Sequence, residues 1–220
     1  MEYSRIRDFI ISYTSDDEGL LADICKEAIS SDVPIIRREA RDFLKTLLYM
    51  NRPVRVLEIG TAVGYSTLVM ACTLRDIGLE EYHIDTIELD EDRIKQAEKN
   101  IGMMNMERWI TQYRGDAVEV LEGMMSQGEV NYDFIFIDAA KAQYSAYLEL
   151  CFKLAHPGTV ILTDNVLADG DVLESHFLVE KRDRTIHDRM RQYLFDIMND
   201  ERLETSILSV ADGMALSVVK

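Results

Sequence analysis

A chain of 220 residues can form one large domain, and we expect a single domain. Acidic residues outnumber basic residues 40 to 24, and the formal net charge of −16 argues against a general nucleic-acid coat or a membrane-surface protein. No apolar run approaches the ~20 residues that cross a bilayer, and the N-terminal residues lack the pattern of a signal peptide. Three widely spaced cysteines without a CxxC motif favour reduced thiols, so we expect a cytoplasmic protein.

Helical periodicity dominates residues 1–50, where apolar residues such as Leu21 and Ile24 recur at spacings of three and four. We expect this part to form a helical cap on a core of residues 51–220. From Val54 onward, short runs rich in β-branched and aromatic residues alternate with helical stretches. The predicted strands are Val54–Ile59, His83–Glu88, Ile110–Arg114, Tyr132–Ile137 and Thr159–Thr163. The predicted helices between them are Tyr65–Arg75, Glu91–Met104, Asp116–Ser126 and Ala142–Leu154.

This alternation predicts an open, doubly wound α/β sheet whose strands are mostly parallel. Strands such as Tyr132–Ile137 are apolar almost throughout, which is typical of parallel strands buried on both faces. After a predicted helix near Arg184–Asn199, the segments Leu203–Ser209 and Met214–Val219 flank a turn at Asp212, and we expect them to form an antiparallel edge. Ligands of such sheets bind beyond the carboxyl ends of the strands, near the point where strand order reverses.

The first predicted strand runs into a turn, EIGTAVGYS, that spans Glu58 to Ser66. Gly60 and Gly64 permit a tight turn and a close approach of the backbone, and the following helix offers free N–H groups. The GxxxG spacing differs from the GxGxxG of dinucleotide sites, and Glu58 suits an ammonium group or a hydroxyl better than phosphates. The alternative is a turn whose glycines serve only close packing.

Acidic residues also follow the second and third predicted strands. Glu88 can accept two hydrogen bonds from the hydroxyls of a ribose, whereas we assign Asp90 to capping of the next helix. The alternative is that Glu88, like Asp90, caps the helix that begins at Glu91, where negative charge complements the helix dipole. Asp116 can accept from an adenine amino group or cap the helix that follows it, and the two roles are compatible.

The fourth and fifth predicted strands end in side chains that favour a metal site. Asp138 follows four apolar residues and precedes Lys141 by three positions, while Asp164 and Asn165 follow the fifth strand. If these strands are neighbours, the three oxygen donors converge, and oxygen ligands without histidine or cysteine suit Mg²⁺ or Ca²⁺. The alternative is turn chemistry, because Asp-Asn is a common turn dipeptide.

In combination, the motifs LEIGTAVGYS, TIELD, RGDA, FIDAAK and TDNV resemble the cation-dependent O-methyltransferases that use S-adenosylmethionine (SAM). This family includes catechol and caffeoyl-CoA O-methyltransferases, and the chain is most similar to the bacterial tRNA 5-hydroxyuridine methyltransferases. The resemblance extends from about Pro34 to the C-terminus. It implies a Rossmann-like class I methyltransferase fold: a seven-stranded, mostly parallel sheet with an antiparallel C-terminal edge and extra N-terminal helices.

The resemblance also implies a SAM site. Its methionine end would lie against the glycine-containing turn, Glu88 would hold the ribose, and Asp116 would border the adenine. The implied site comprises Glu58, Gly60, Thr61, Ala62, Gly64, Tyr65, Ser66, Glu88, Leu89, Asp116, Ala117 and Asp138.

The implied metal site consists of Asp138, Asp164 and Asn165, with Mg²⁺ or another hard divalent cation. A metal-bound hydroxyl loses its proton more readily, so the cation would prepare an oxyanion near neutral pH. Asp138 and Lys141 would be the catalytic residues. Lys141 would act either as a general base or as a charge that stabilises the oxygen.

Two basic clusters bear on the substrate. The segment Lys181–Arg191 holds five basic and two acidic residues, and a second cluster lies at Arg37–Arg41. A helical wheel of the predicted helix places Arg184, His187 and Arg191 together on one face, and it places in the buried stripe Ile186, Met190, Tyr193, Leu194 and Ile197. The predicted contacts to a tRNA backbone are Arg37, Arg38, Arg41, Lys181, Arg182, Arg184 and Arg191. The alternative is ordinary solvated helix faces that pair with neighbouring acids.

Three functions follow as hypotheses: methylation of 5-hydroxyuridine in tRNA, methylation of a small catechol or phenol, and non-catalytic cofactor binding. The basic clusters favour tRNA. So does the lack of a match for the glutamate that binds catechol in the animal enzyme, since neither Glu174 nor Glu180 aligns with it. The metal-site residues argue against the third hypothesis. Family likeness and apolar N-terminal residues such as Phe9 and Ile10 predict a homodimer.

Overall fold

The computed structural model describes residues 2–126 and 131–220. The helices are α1 (Glu2–Ile11), α2 (Gly19–Ser30), α3 (Arg38–Asn51), α4 (Tyr65–Asp76), α5 (Glu91–Met103), α6 (Ala117–Ser126), α7 (Tyr144–Lys153) and α8 (Arg184–Asn199). The strands are β1 (Arg55–Ile59), β2 (His83–Glu88), β3 (Ile110–Arg114), β4 (Tyr132–Ile137), β5 (Ala155–Thr163), β6 (Leu203–Leu208) and β7 (Met214–Val219). Short 3₁₀ helices at Lys141–Gln143 and Ala168–Leu173 precede α7 and α8.

These strands form one seven-stranded sheet in the order β3-β2-β1-β4-β5-β7-β6. Strands β1 to β5 run parallel to one another, whereas β7 pairs antiparallel with both β5 and β6. The predicted doubly wound, mostly parallel sheet with an antiparallel C-terminal edge is therefore confirmed. The chain moves outward from β1 to β3 and then crosses to β4 on the other side of β1. Strand order thus reverses between β1 and β4, where ligands of such sheets bind.

Apolar side chains cover both faces of the sheet. In β4, Phe134 and Phe136 pack with the apolar residues of α3 and α4, while Ile135 and Ile137 pack with those of α6, α7 and α8. All four side chains are fully buried, because successive side chains of a strand point to opposite faces and both faces carry helices. The two helical layers stabilise the sheet by removing this apolar surface from water.

The largest departure from the predicted element boundaries is in β5. This strand begins at Ala155, earlier than predicted, and Ala155 pairs with Tyr132 before the register shifts to a pairing of Val160 with Phe134. Pro157 lies within the irregular stretch. Because proline cannot donate a hydrogen bond to a neighbouring strand, its presence is compatible with a strand only at such an irregularity or at an edge.

The N-terminal helices are joined to α4 through buried polar contacts. Arg41 of α3 is 2% exposed and contacts Asp17 at 2.9 Å, Asp42 at 2.7 Å and the Ser15 carbonyl oxygen at 2.6 Å. The Tyr65 hydroxyl of α4 donates to the same Asp17 carboxylate at 2.5 Å. The prediction that Arg41 contacts RNA is wrong, because its guanidinium is buried and already bonded.

Other N-terminal side chains face outward. Ile6, Phe9 and Ile10 of α1 each leave about half or more of their surface exposed. Their role in a homodimer stays a prediction. Among residues 2–126 and 131–220, no helix has both the length and the apolarity needed to cross a membrane.

We expect Arg41→Met to lower the free energy of unfolding by about 3 kcal/mol, because it leaves the buried Asp17 carboxylate without its cation. The matched control is Arg38→Met, whose guanidinium is half exposed and whose loss should change stability by about 0.5 kcal/mol or less. Urea unfolding of the three proteins measures both values. Equal, small effects of the two substitutions would contradict the structural role of Arg41.

Candidate active site

The carboxyl ends of β1, β4 and β5 lie side by side at one edge of the sheet. The Asp138 N–H donates to the Ile59 carbonyl oxygen at 2.9 Å, and the Asp164 N–H donates to the Ile137 carbonyl oxygen at 2.9 Å. The hydrogen bonding of the parallel sheet thus continues one residue beyond β4 and β5. Because of this continuation, the side chains of Asp138 and Asp164 follow neighbouring strands at the same level.

Gly60 and Gly64, in the turn after β1, serve different purposes. Gly60 has φ +106°, and a Cβ there would lie 2.0 Å from the Asp138 carbonyl oxygen, so only glycine lets β1 end this close to β4. Gly64 has φ +81°, and its Cβ would lie 3.3 Å from the Cβ of Ala97 in α5. Gly64 thus serves close packing between the turn and α5.

A cavity of about 940 Å³ opens above these strand ends. Lys141, Asp164 and Asn165 line it, as do ten of the twelve residues predicted to bind SAM. These ten are Gly60, Thr61, Ala62, Tyr65, Ser66, Glu88, Leu89, Asp116, Ala117 and Asp138. Glu58 and Gly64 are not among the lining residues, and their contact with SAM stays a prediction.

Glu58 is fully buried beneath the cavity and organises three hydroxyl groups. Its carboxylate accepts from Ser66 and from Thr86 at 2.6 Å each, and it also accepts from Thr67. Burial raises the pKa of Glu58 to about 7, and the three hydrogen bonds oppose this rise. Thr67 and Thr86 could not be predicted from the sequence, because nothing local distinguishes them from ordinary helix and strand residues. Glu58 therefore acts by holding Ser66, which lines the cavity.

Glu88 lines the cavity at the end of β2, and backbone donors fix its carboxylate. Its Oε2 accepts from the Ala62 N–H at 2.8 Å, and its Oε1 accepts from the Leu89 and Asp90 N–H groups at 2.9 Å each. An ionised carboxylate has about four acceptor sites, so capacity for ligand hydroxyls remains. The position suits the predicted ribose contact.

Two further acids cap helices. Asp90 Oδ1 accepts from the N–H groups of Asp92 and Arg93 at 3.0 Å each and begins α5, which confirms its predicted capping role. Asp116 Oδ1 accepts from the Val118 N–H at 2.9 Å in the first turn of α6. Because Asp116 also lines the cavity, capping leaves its second oxygen for a ligand.

Asp138, Asp164, Asn165 and Lys141 form a polar wall of the cavity. Burial raises the pKa of both carboxyl groups, the charge of Asp138 raises that of Asp164 further, and the Lys141 ammonium opposes the rise in each. Asn165 donates its N–H to Asp164 at 2.7 Å and has φ +60°, a conformation that asparagine tolerates. The wall concentrates oxygen donors at a place where their negative charges repel.

Asp212 lines the cavity, whereas its sequence context predicts only a turn. Its charge contributes to the raised pKa of Asp164. Arg37, which we predicted to contact RNA, pairs with Asp212 at 2.5 Å and lines the same cavity. No local pattern reveals this pair, because its members are far apart in the sequence.

The other predicted RNA contacts mostly have protein partners. The observed contacts are Arg38 with Asp16, Arg182 with Glu180 and Asp183, Arg184 with the Val179 carbonyl oxygen, and Arg191 with the Val172 carbonyl oxygen. Lys181 is exposed. The helical wheel is right for Met190, Tyr193 and Ile197, which are buried, and wrong for His187, which is buried, and for Ile186, which is 39% exposed. Met190 and Tyr193 pack into the core, and His187, one turn before Met190, lies on the same side of α8.

Comparison with known proteins identifies close similarities over almost the whole chain. A family model described as O-methyltransferase matches residues 11–220. The catechol O-methyltransferase of Niastella koreensis is 32% identical over 183 residues, which cover 81% of this chain and 79% of that protein. A Dictyostelium discoideum protein named probable caffeoyl-CoA O-methyltransferase 1 is 30% identical over 218 residues, covering 94% and 90%. The crystal structure of an O-methyltransferase from Bacillus cereus in complex with SAH superposes with a TM-score of 0.84 at 26% identity, covering 98% and 97%.

We expect the buried Glu58 carboxyl to make stability depend on pH. Its pKa is raised from 4.5 to about 7, so its stabilising contribution is complete below pH 4.5 and is lost as pH rises through 7. The loss amounts to about 3 kcal/mol. Glu58→Gln should remove this component, whereas Glu119→Gln on the exposed surface of α6 should retain it. Urea unfolding at several pH values between 5 and 8 measures how the free energy of unfolding changes with pH. The same pH dependence in wild type and Glu58→Gln would refute the role of burial.

Proposed function

Because this chain belongs to the O-methyltransferase family, we propose that it methylates one hydroxyl of a small catechol-like aromatic with the help of a bound divalent cation. It is a SAM-dependent O-methyltransferase of the catechol and caffeoyl-CoA type. The cation and the acceptor are the parts that we propose. The observation that carries the proposal is the polar wall of Asp138, Asp164, Asn165 and Lys141 at one end of the cavity.

The polar wall fits a hard divalent cation. Asp138, Asp164 and Asn165 offer carboxylate and amide oxygens, which are the ligands that Mg²⁺ prefers. The two carboxylates repel one another, and burial makes their ionised forms costly without a counter-charge. When bound, the cation would favour the ionised form of a coordinated hydroxyl.

The remaining lining residues suit SAM. Glu88 is fixed by three backbone donors and would accept hydrogen bonds from the ribose hydroxyls. Asp116 would accept from the adenine amino group, and Ser66, held by Glu58, would contact the methionine end. Gly60 would let the cofactor lie close to the polar wall, because no side chain separates the end of β1 from Asp138.

Lys141 would act on the acceptor oxygen. It begins the 3₁₀ helix after β4 and lines the cavity beside the two carboxylates. Its ammonium would stabilise negative charge on the acceptor oxygen and orient that oxygen toward the methyl group. Positioning of this kind can supply several kcal/mol of the barrier reduction. A role as proton acceptor is the alternative.

Several observations favour a small aromatic acceptor over tRNA. Arg41 is buried, and Arg37 lines the cavity in a pair with Asp212 instead of facing a polynucleotide. Apolar residues such as Ile35 and Leu89 line the cavity together with its polar groups, as is usual for small-molecule sites. Methylation of tRNA remains our second candidate, and the exposed Lys181 and Arg182 are the observation that favours it.

We expect Asp164→Asn to lower kcat/KM at saturating Mg²⁺ by at least about 100-fold, because the cation loses a charged ligand. The affinity for SAM, measured by calorimetry, should change little, since Asp164 is outside the predicted SAM contacts. Stability in EDTA should not fall, because the substitution removes a buried negative charge. The exposed Asp23→Asn is the control and should behave like wild type. Full, EDTA-sensitive activity of Asp164→Asn would rule out this metal site.

A methyl-transfer assay with labelled SAM and Mg²⁺ discriminates between the two acceptor classes. We expect label in catechols, less in monohydroxy phenols, and none in hypomodified tRNA. Transfer to tRNA that falls steeply with salt concentration would support the second candidate instead. Arg182→Gln should leave catechol methylation unchanged, and it should reduce transfer to tRNA if that candidate is correct.

A further inference from the structure

Two of the four histidines in the chain meet outside the cavity. His176 precedes α8, and His187 with Asp188 lies in the first turns of α8. The Nδ1 atom of His176 is 2.8 Å from Asp188 Oδ1, and the Nδ1 atom of His187 is 3.1 Å from the same oxygen. Within the part of the chain that the structure describes, this is the one group of at least three His, Cys, Asp or Glu residues whose ligand atoms all lie within 4.8 Å of one another.

The hydrogen bonds of His187 point to a cation at this place. Its Nε2 faces the Glu174 carbonyl oxygen at 3.1 Å, and a carbonyl oxygen can only accept, so Nε2 carries a hydrogen. In the neutral ring the other nitrogen, Nδ1, then has a lone pair, and this lone pair faces the Asp188 carboxylate. Two acceptors face each other in a side chain that is only 2% exposed. A positive charge between them removes the conflict.

We propose that His176, His187 and Asp188 form a zinc site that is separate from the Asp138 and Asp164 wall. Two imidazole nitrogens and one carboxylate oxygen are donors that Zn²⁺ prefers, whereas Mg²⁺ prefers oxygen donors alone. Zn–N bonds of about 2.0 Å at tetrahedral angles place ligand atoms roughly 3.3 Å apart, and the two N–O distances of 2.8 and 3.1 Å differ from this spacing by a few tenths of an ångström. Water would complete the fourth position.

The second interaction of His187 supports this assignment. Histidines that bind metals commonly donate their other N–H to a backbone carbonyl, which fixes the tautomer and aims the free nitrogen at the ion. The Glu174 carbonyl oxygen occupies this position for His187. The tautomer of His187 is therefore the one that zinc binding through Nδ1 requires.

The site would join the segment around His176 to α8 near the active cavity. Arg189, which follows Asp188, donates to the Ala142 carbonyl oxygen at 3.0 Å, and Ala142 is the neighbour of Lys141. Arg191 donates to the Val172 carbonyl oxygen at 3.1 Å. The ion would thus stabilise the contact between α8 and the turn that carries Lys141, and its role would be structural.

The test is metal binding by the untagged, chelator-treated full chain in excess Mg²⁺, with Co²⁺ absorption spectra and Zn²⁺ calorimetry. We expect one Zn²⁺ per chain, visible Co²⁺ bands of histidine coordination, and weaker binding at pH 5.5 than at pH 7.5, because the ligands must be deprotonated. His176→Gln and Asp188→Asn should each weaken binding at least about tenfold. His156→Gln is the matched control, because His156 is outside this group, pairs with Asp133 at 3.0 Å, and its substitution should leave binding unchanged.

Asp138→Asn distinguishes the two sites, and it should leave Zn²⁺ stoichiometry and the Co²⁺ spectrum unchanged. Loss of binding in Asp138→Asn but not in His176→Gln would assign the ion to the catalytic wall and overturn the proposal. Absence of stoichiometric Zn²⁺ binding by the wild type would also overturn it, and a protonated His187 would then satisfy Asp188. Circular dichroism of His176→Gln verifies that the exposed substitution leaves the fold intact.

Discussion

The close approach of β1 to β4 is the constraint on which the rest of the structure depends. Gly60 comes so near the Asp138 backbone that a single methyl group would displace one strand from the other. This contact lies where strand order reverses, so it also determines where the cavity opens. The proposed positions of the methyl donor, on the β1 side, and of the acceptor and its cation, on the β4 side, can be adjacent because no side chain of Gly60 stands between them. The chemistry of the site therefore rests on a glycine that makes no chemical contribution itself.

Three acids are held at this junction at a cost to stability. Burial raises the pKa values of Glu58, Asp138 and Asp164, which means that their ionised forms oppose folding near neutral pH. Three hydroxyl donors offset the cost of burying the Glu58 carboxylate. Because these hydrogen bonds hold Ser66 in place, Glu58 is a positioning residue. Asp138 and Asp164 have Lys141 as their opposing charge. Among residues 2–126 and 131–220, neither of these carboxyl groups accepts from a comparable set of side-chain hydroxyls. The difference explains why Glu58 serves the architecture and why the other two suit a cation.

Much of this organisation could be predicted from the sequence because it is local. Alternating apolar strands and amphipathic helices located β2, β3 and β4, and the residues at strand ends identified the cavity lining. The errors have a common cause: they concern contacts between residues that are distant in the chain. The sequence predicted a basic surface at Arg37 and Arg41, because it does not show that the fold places Asp212 beside Arg37 and Asp17 beside Arg41. Likewise, the helical wheel placed Met190 and Tyr193 correctly but not His187, because it contains no information about contacts outside the helix such as that of His187 with the Glu174 carbonyl oxygen.

The pair of Arg37 and Asp212 has a consequence for the order of assembly during synthesis. The two residues line one cavity but belong to the N-terminal helical region and to the turn between β6 and β7. A nascent chain can form β1 to β5 with their helices while the ribosome still holds Asp212. Such an intermediate contains the glycine turn and the polar wall, yet its cavity lacks one side.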